Sequence, residues 1–163
     1  MPATRTLHLD GAPATDRLGA RLATRVRAGD ALLLSGPVGA GKSALARAVI
    51  RAAQAAVGAP PEEVPSPTYT LVQTYAAGAL AIWHADLYRL GDPDELAELG
   101  LEDALGRALC LVEWPDRLGA LRPADAVELA LAPARGGAAR TLRATGPVAA
   151  LDRLLGPAAE AAA

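Results

Sequence analysis

Three observations predict an α/β fold with a mostly parallel central sheet. The apolar run Ala31-Leu32-Leu33-Leu34-Ser35 leads into Gly36-Pro37-Val38-Gly39-Ala40-Gly41-Lys42-Ser43, which opens into Ala44-Leu45-Ala46-Arg47-Ala48-Val49-Ile50, so strand, glycine-rich loop and helix follow one another. A second apolar run, Ala108-Leu109-Cys110-Leu111-Val112, ends in Glu113-Trp114-Pro115, the pattern of a strand buried on both faces as it leaves a sheet. Between them, the β-branched and aromatic run from Thr68 to Tyr75 and the run from Ala79 to His84 flank the turn Ala76-Ala77-Gly78, which predicts an antiparallel hairpin.

The glycine-rich loop has the pattern G-x-x-x-x-G-K-[ST], which binds phosphate for physical reasons. Glycines let the amides of Val38, Gly39, Ala40 and Gly41 turn toward an anion, Lys42 reaches the outer phosphates, and the hydroxyl of Ser43 can sit on a magnesium ion. The N-terminus of the following helix adds its positive end. Lys42 is the only lysine in the chain, and every other cationic chain except the two histidines is Arg. A compact ammonium on a flexible stem suits this position where a broad guanidinium does not. The expected architecture is therefore a P-loop NTPase-type three-layer fold, a mostly parallel sheet with an antiparallel edge hairpin.

The remaining elements follow from local signals. Thr6–Leu9 reads as a short edge strand, and a helix capped at Thr15 or Asp16 carries Leu18, Leu22 and Val26 at helical spacing before Gly29. The loop helix should run from Lys42 to Val57 and close at Gly58. Prolines at 60, 61, 65 and 67 force a stiff extended loop. Asp92-Pro93 through Gly100 carries a cap, a proline for the first helical position and a terminal glycine, so a short acidic helix is expected, with another turn or two over Leu101–Leu105. Strands over Ala126–Leu131 and Arg140–Ala144 and a helix over Val148–Leu155 complete the list. Residues 1–156 read as one domain, and Pro157–Ala163 as a frayed tail.

Composition narrows the function classes. With 163 residues, 3% aromatics and no Phe, the core must be built from Leu, Val, Ile and Ala. No apolar run approaches membrane-spanning length, and Met1–Asp10 lacks a signal-peptide pattern, so cytoplasm is the expected location and no membrane contact is expected. One cysteine, Cys110, lies in an apolar run and reads as a buried small hydrophobe. A net charge of −2 gives no general attraction to a polyanion, so any nucleic acid is held mainly by a partner.

Further residues outside the loop carry candidate chemistry. A phosphate loop needs a carboxylate across the sheet for magnesium or its waters, and Glu113, ending a buried strand, is placed for it; the usual motif ends in Asp, and an ordinary strand-end acid fits the bare pattern equally well. Asp86, where a strand gives way to a loop, reads either as a turn aspartate or as an acid that orients water. His84 beside it reads as structural. Thr68, on the proline-stiffened segment Ser66-Pro67-Thr68-Tyr69-Thr70, reads as a loop residue or as a switch that senses the outermost phosphate. Arg135, Arg140 and Arg143 form a modest basic cluster, either a solvated face or a contact with nucleotide or partner.

Taken together, Gly36–Ser43, Ser66-Pro67-Thr68-Tyr69-Thr70-Leu71-Val72, His84-Ala85-Asp86-Leu87-Tyr88-Arg89-Leu90 and Leu111-Val112-Glu113-Trp114-Pro115 resemble the TsaE (YjeE) family of bacterial P-loop ATPases, over about Asp10 to Arg140. The resemblance implies an ATPase partner of the TsaD–TsaB complex, which installs threonylcarbamoyl on the adenosine following the anticodon of tRNAs that read codons beginning with A. It implies ATP and Mg2+ as cofactors, with tRNA met only through the complex. It also implies Lys42 and Ser43 as phosphate and magnesium contacts, Glu113 as a magnesium-binding acid, Asp86 as an acid important for hydrolysis, Thr68 as a switch near the outer phosphate, and an adenine or ribose contact near Leu7, His8 or Arg140.

Three rival readings remain to be weighed. A shikimate-kinase-like small-molecule kinase has similar length and loop, but its substrate arginines, paired acids and lid are not visible here. A GTPase fails on inventory, since the chain has no Asn and no second Lys for a guanine-reading motif. A nucleotide-gated binding module merges with the ATPase reading, because hydrolysis and assembly would be coupled.

Overall fold

A computed structural model describes residues 2–60 and 62–157. It contains strands β1 (Pro2–Leu9), β2 (Ala31–Ser35), β3 (Val72–Ala77), β4 (Leu80–Asp86), β5 (Leu109–Glu113), β6 (Val127–Pro133) and β7 (Arg140–Pro147). The helices are α1 (Ala12–Ala23), α2 (Lys42–Ala56), α3 (Glu95–Glu98), α4 (Leu101–Ala104) and α5 (Val148–Leu155), with a 3₁₀ segment over Pro115–Leu121.

The strands form one sheet in the order β1-β7-β6-β2-β5-β4-β3. Its centre, β6-β2-β5-β4, is parallel throughout, while β3 pairs antiparallel with β4, and β7 antiparallel with both β6 and β1. Five of the seven strands therefore share a direction, since β1 regains the sense of the centre. Alternation along the central strands builds both helical layers at once. Leu32 and Leu34 of β2, with Leu109 and Leu111 of β5, pack into a core that includes Leu18 and Leu22 of α1, Leu45, Val49 and Ile50 of α2, and Leu151 and Leu154 of α5. Ala31, Leu33, Cys110 and Val112 face the opposite way, toward Leu96 of α3 and Leu101 of α4. Every residue of β5 is buried, as its apolar run predicts.

Several boundaries depart from the sequence reading, α1 among them: it starts at Ala12 after Gly11, with Pro13 in its first turn, and Thr15 and Asp16 lie inside it rather than at its cap. The run from Thr68 starts as a turn: Leu71 N donates to Pro67 O at 2.8 Å, Leu71 takes a positive φ of 66°, and β3 begins only at Val72. The β-branched run is real, but Pro67 opens a turn that outweighs it. On the other side of the sheet, β1 is twice the expected length because it pairs with β7 from Pro2↔Pro147 to Leu9↔Arg140, giving a second antiparallel edge beside the expected hairpin. The acidic helix shrinks to Glu95–Glu98, because Asp92 spends its side chain and carbonyl on the amides of Asp94 and Glu95 in a preceding turn. The expected frayed tail lies outside the described residues from residue 158 onward, and Pro157 is an exposed bend. Among the described residues no helix is long and apolar enough to cross a membrane.

Candidate active site

The carboxyl ends of β2, β4 and β5 meet at one edge of the sheet, where parallel α/β folds place their ligands. A cleft of about 410 Å³ opens there, lined by the loop residues Val38, Gly39, Gly41, Lys42 and Ser43 and by Ser66, Thr68, Asp86, Arg89, Glu113 and Trp114. The loop itself is shaped by close approach. At Gly36, with φ of 135°, an added Cβ would lie 2.2 Å from Leu131 O, so no other residue passes under β6 there. Gly41, with φ of 104°, forms the left-handed entry to α2, and nothing lies within 4 Å of where its Cβ would stand. Among the described residues, the amides of Val38, Gly39 and Gly41 donate to no backbone carbonyl. That leaves a concave set of N–H groups at a helix start, the arrangement that binds oxyanions.

Lys42 is drawn back along the loop, its Nζ donating to Gly36 O at 2.7 Å and Pro37 O at 2.9 Å, with the Trp114 ring centroid 4.4 Å away. Burial pushes its pKa below the usual lysine value, against the opposing pull of Glu113 and Asp86. Trp114 holds this place through a left-handed backbone, φ 57° and ψ 55°, an uncommon conformation for an aromatic residue. Its ring also packs on Tyr88, centroid to centroid 4.9 Å.

Beside the lysine, Ser43 Oγ lies 2.9 Å from both carboxylate oxygens of Glu113 and 3.3 Å from Ser66 Oγ, which in turn is 3.0 Å from Thr68 Oγ1. A polar chain thus runs from the end of β5 across the start of α2 to the proline-stiffened loop. Glu113 is also held by His84, Nε2 to Oε2 at 2.7 Å. Asp86 pairs in register with Glu113 on the neighbouring strand, and its Oδ1 accepts the amide of Tyr88 at 3.0 Å. Oxygen donors of this kind suit a hard divalent cation. Magnesium is held by few protein oxygens and completed by waters and phosphates, and the Ser43 hydroxyl beside the Glu113 carboxylate is a donor set of that kind.

The family model described as "Threonylcarbamoyl adenosine biosynthesis protein TsaE" matches residues 9–142. The chain belongs to the TsaE family. A relative from Rickettsia conorii, named tRNA threonylcarbamoyladenosine biosynthesis protein TsaE, is 38% identical over 117 residues, covering 72% of this chain and 65% of the relative. A protein of the same name from Haemophilus influenzae is 42% identical over 94 residues, 56% of each chain. The matches thus span just under two thirds of the first relative's length and a little over half of the second's. Among solved structures, YdiB of Bacillus subtilis superposes with a TM-score of 0.68 at 23% identity, covering 90% of this chain and 87% of that one, which shows a shared fold.

As a TsaE-family chain it is a P-loop ATPase-type protein with a nucleotide-binding fold, and the small-molecule kinase reading is not favoured. The expected residues Val38, Gly39, Gly41, Lys42, Ser43, Thr68, Asp86 and Glu113 line this cleft, whereas Ala40 is buried beneath it with its amide on Pro37 O at 3.1 Å. Arg140 instead lies behind the loop, on the carbonyls of Gly39 and Ala40. Leu7 is buried in the core, and His8 lies on β1. Arg89 stacks on the Tyr69 ring at 4.7 Å. His84, read as structural, is buried, and its Nε2 contact with Glu113 was not foreseen. The signal was its place two residues before Asp86 on one strand, which sets both side chains on the same face of the sheet.

Proposed function

We propose that this chain binds ATP with magnesium, hydrolyses it, and works through that cycle as a partner of the TsaD–TsaB complex in threonylcarbamoyl modification of the adenosine following the anticodon of tRNAs that read codons beginning with A. The observation that carries the proposal is the contact of Ser43 with Glu113 directly beside Lys42, in a cleft walled by the loop amides. The names of the curated relatives supply the pathway.

The residues divide the work. Lys42 spends two N–H bonds on Gly36 O and Pro37 O, which leaves the third for an outer phosphate. An ammonium already stripped of water gains more from an incoming anion than a solvated one does. Ser43 and Glu113 would hold magnesium, which when bound neutralises charge on the outer phosphates. The Tyr88 amide fixes Asp86 through Oδ1, so that Oδ2 can orient a water for attack. Thr68, joined through Ser66 to Ser43, would report the state of the outer phosphate to the loop that carries it.

The test is calorimetry with MgATP, followed by turnover with and without TsaD and TsaB. Lys42→Ala should abolish nucleotide binding with the fold intact, and Glu113→Gln and Asp86→Ala should impair hydrolysis more than binding. Unchanged affinity in Lys42→Ala would remove the nucleotide reading, and turnover or tRNA modification indifferent to this chain would remove the partnership.

A further inference from the structure

Arg140 stands at the start of β7, yet its guanidinium reaches the phosphate loop a hundred residues earlier in the chain. Nε donates to Ala40 O at 3.0 Å and Nη2 to Gly39 O at 3.2 Å. Nη1 donates to Gly137 O at 2.5 Å and Ala139 O at 2.9 Å, inside the β6–β7 connection. Four of the five guanidinium N–H bonds are thus committed to backbone carbonyls, two on each side. The rigid fork ties the loop to the edge of the sheet.

The orientation of these carbonyls decides where the loop amides point. In a trans peptide the C=O and the next N–H face opposite ways, and among the described residues no peptide is cis. Drawing Ala40 O toward Arg140 therefore turns the Gly41 amide the other way, into the cleft that Gly41 lines. Drawing Gly39 O outward likewise turns the Ala40 amide inward, where it closes the loop on Pro37 O at 3.1 Å. The methyl of Ala40 is buried in the core, but the residues on either side, Gly39 and Gly41, have no side chains, and open space surrounds both would-be Cβ positions. Two glycines with positive φ would otherwise leave these peptide planes free to rotate.

We propose that Arg140 is a positioning residue for phosphate binding, clamping the 39–40 peptide in the turn that Ala40 N closes on Pro37 O and the 40–41 peptide with its Gly41 amide preset toward the anion, and that it acts on the nucleotide only through the loop, without touching base or ribose. This rests on the nucleotide reading above and adds to it the element that organises the phosphate loop from outside. Arg140 is not among the residues that line the cleft. A lysine could not replace it, because a point charge lacks the fork that spans both carbonyls.

The experiment compares the full-length wild-type chain with Arg140→Lys and Arg140→Ala. Three probes, pyrophosphate, ATP and adenosine, are titrated by calorimetry or NMR, and amide hydrogen exchange over residues 37–44 is followed without ligand. Loss of charge-assisted hydrogen bonds to the loop should weaken pyrophosphate and ATP by about tenfold or more in both variants. Adenosine binding should be unchanged, and the ligand-free loop should exchange faster. Full affinity in Arg140→Lys would reduce the residue to a distant charge and overturn the proposal. An equal loss for adenosine would make it a base or ribose contact and overturn it as well. A wild-type chain that binds ATP and pyrophosphate, with variants that match it, sinks this inference alone, whereas a wild-type chain that binds neither sinks the nucleotide reading with it.

Discussion

The imidazole of His84 lies 2.7 Å from the carboxylate of Glu113, Nε2 to Oε2, and both side chains are almost wholly buried, at 1% and 2% exposure. A carboxylate only accepts, so the bond takes its proton from Nε2. The other ring nitrogen, Nδ1, is buried without a hydrogen-bond partner. The ring therefore has a single polar attachment, and that attachment orients the acid at the end of β5. A partner behind a carboxylate in the metal-holding role proposed for Glu113 is typically worth about 10–100-fold in metal affinity or activity.

His84→Leu should therefore weaken Mn2+ binding in the presence of ATP by about 10-fold or more, by the same reasoning, and lower kcat more than it raises KM. His84→Gln, whose amide nitrogen falls near the position of Nε2, should recover most of the loss, while His84→Asn, whose amide falls near Nδ1, should not. Electron paramagnetic resonance of bound Mn2+ reads this directly. Equal behaviour of the Gln and Asn variants would reduce His84 to a space-filling residue.

The loop glycines should differ sharply in tolerance. At Gly36 an alanine Cβ would stand 2.2 Å from Leu131 O and 3.3 Å from Ala40 Cβ, so Gly36→Ala requires β6 or the loop to move. We expect a loss of about 2–4 kcal/mol. At Gly39, with φ of 82°, a Cβ meets nothing within 4 Å, and only the left-handed backbone cost of about 1–2 kcal/mol applies. Urea denaturation of the two variants should show that order, and the reverse order would contradict the close approach of the loop to β6.

Alkaline pH should expose the burial of Cys110. Burial raises its thiol from 9.0 to about 12, so above pH 9 the unfolded chain loses a proton that the native chain keeps. The contribution is complete below pH 9 and is lost as pH rises through the window from 9 to 12. Tyr75, raised by burial and by Glu62 against the pull of Arg47, acts in the same direction, and Lys42, lowered by burial, acts in the opposite one. Both are shared by Cys110→Ala, so the comparison of wild type with that variant isolates the thiol. The wild type's folding equilibrium should fall relative to the variant's by about tenfold per pH unit in that window. Parallel pH profiles would mean that the thiol is solvated in the native state.

Isolated protein should bind tRNA weakly at physiological salt. Its net charge of −2 offers no general attraction, and tight nucleic-acid binders draw on several phosphate contacts that steepen the salt dependence. Arg140 is already committed to the phosphate loop, which removes one member of the basic cluster formed with Arg135 and Arg143. A filter-binding or fluorescence titration should give at best micromolar affinity, rising when TsaD and TsaB are added. Submicromolar binding by the chain alone, with steep loss on adding salt, would establish a direct RNA-binding role instead.

Local chemistry made much of this protein readable in one dimension. The strand, glycine loop and lysine of 31–43 needed no partner to be recognised, because spacing along the chain is the signal for a phosphate loop. The unbroken apolar run of β5 declared burial on both faces, the hairpin of β3 and β4 followed from its turn, and α5 runs over Val148–Leu155 as its pattern predicts. What stayed hidden depends on which segments come to lie side by side. The turn at Thr68–Thr70 replaces a strand because Leu71 N finds Pro67 O. The full length of β1 exists because β7 offers eight residues of partner in register. His84 becomes the support of Glu113 because β4 lies against β5, and Arg140 becomes the clamp of the phosphate loop because β7 ends its pairing with β6 close to Gly39 and Ala40. Periodicity and composition describe what a residue prefers around it, whereas the neighbour it meets across a sheet is set by strand order and register, and these were decided only when the whole chain packed.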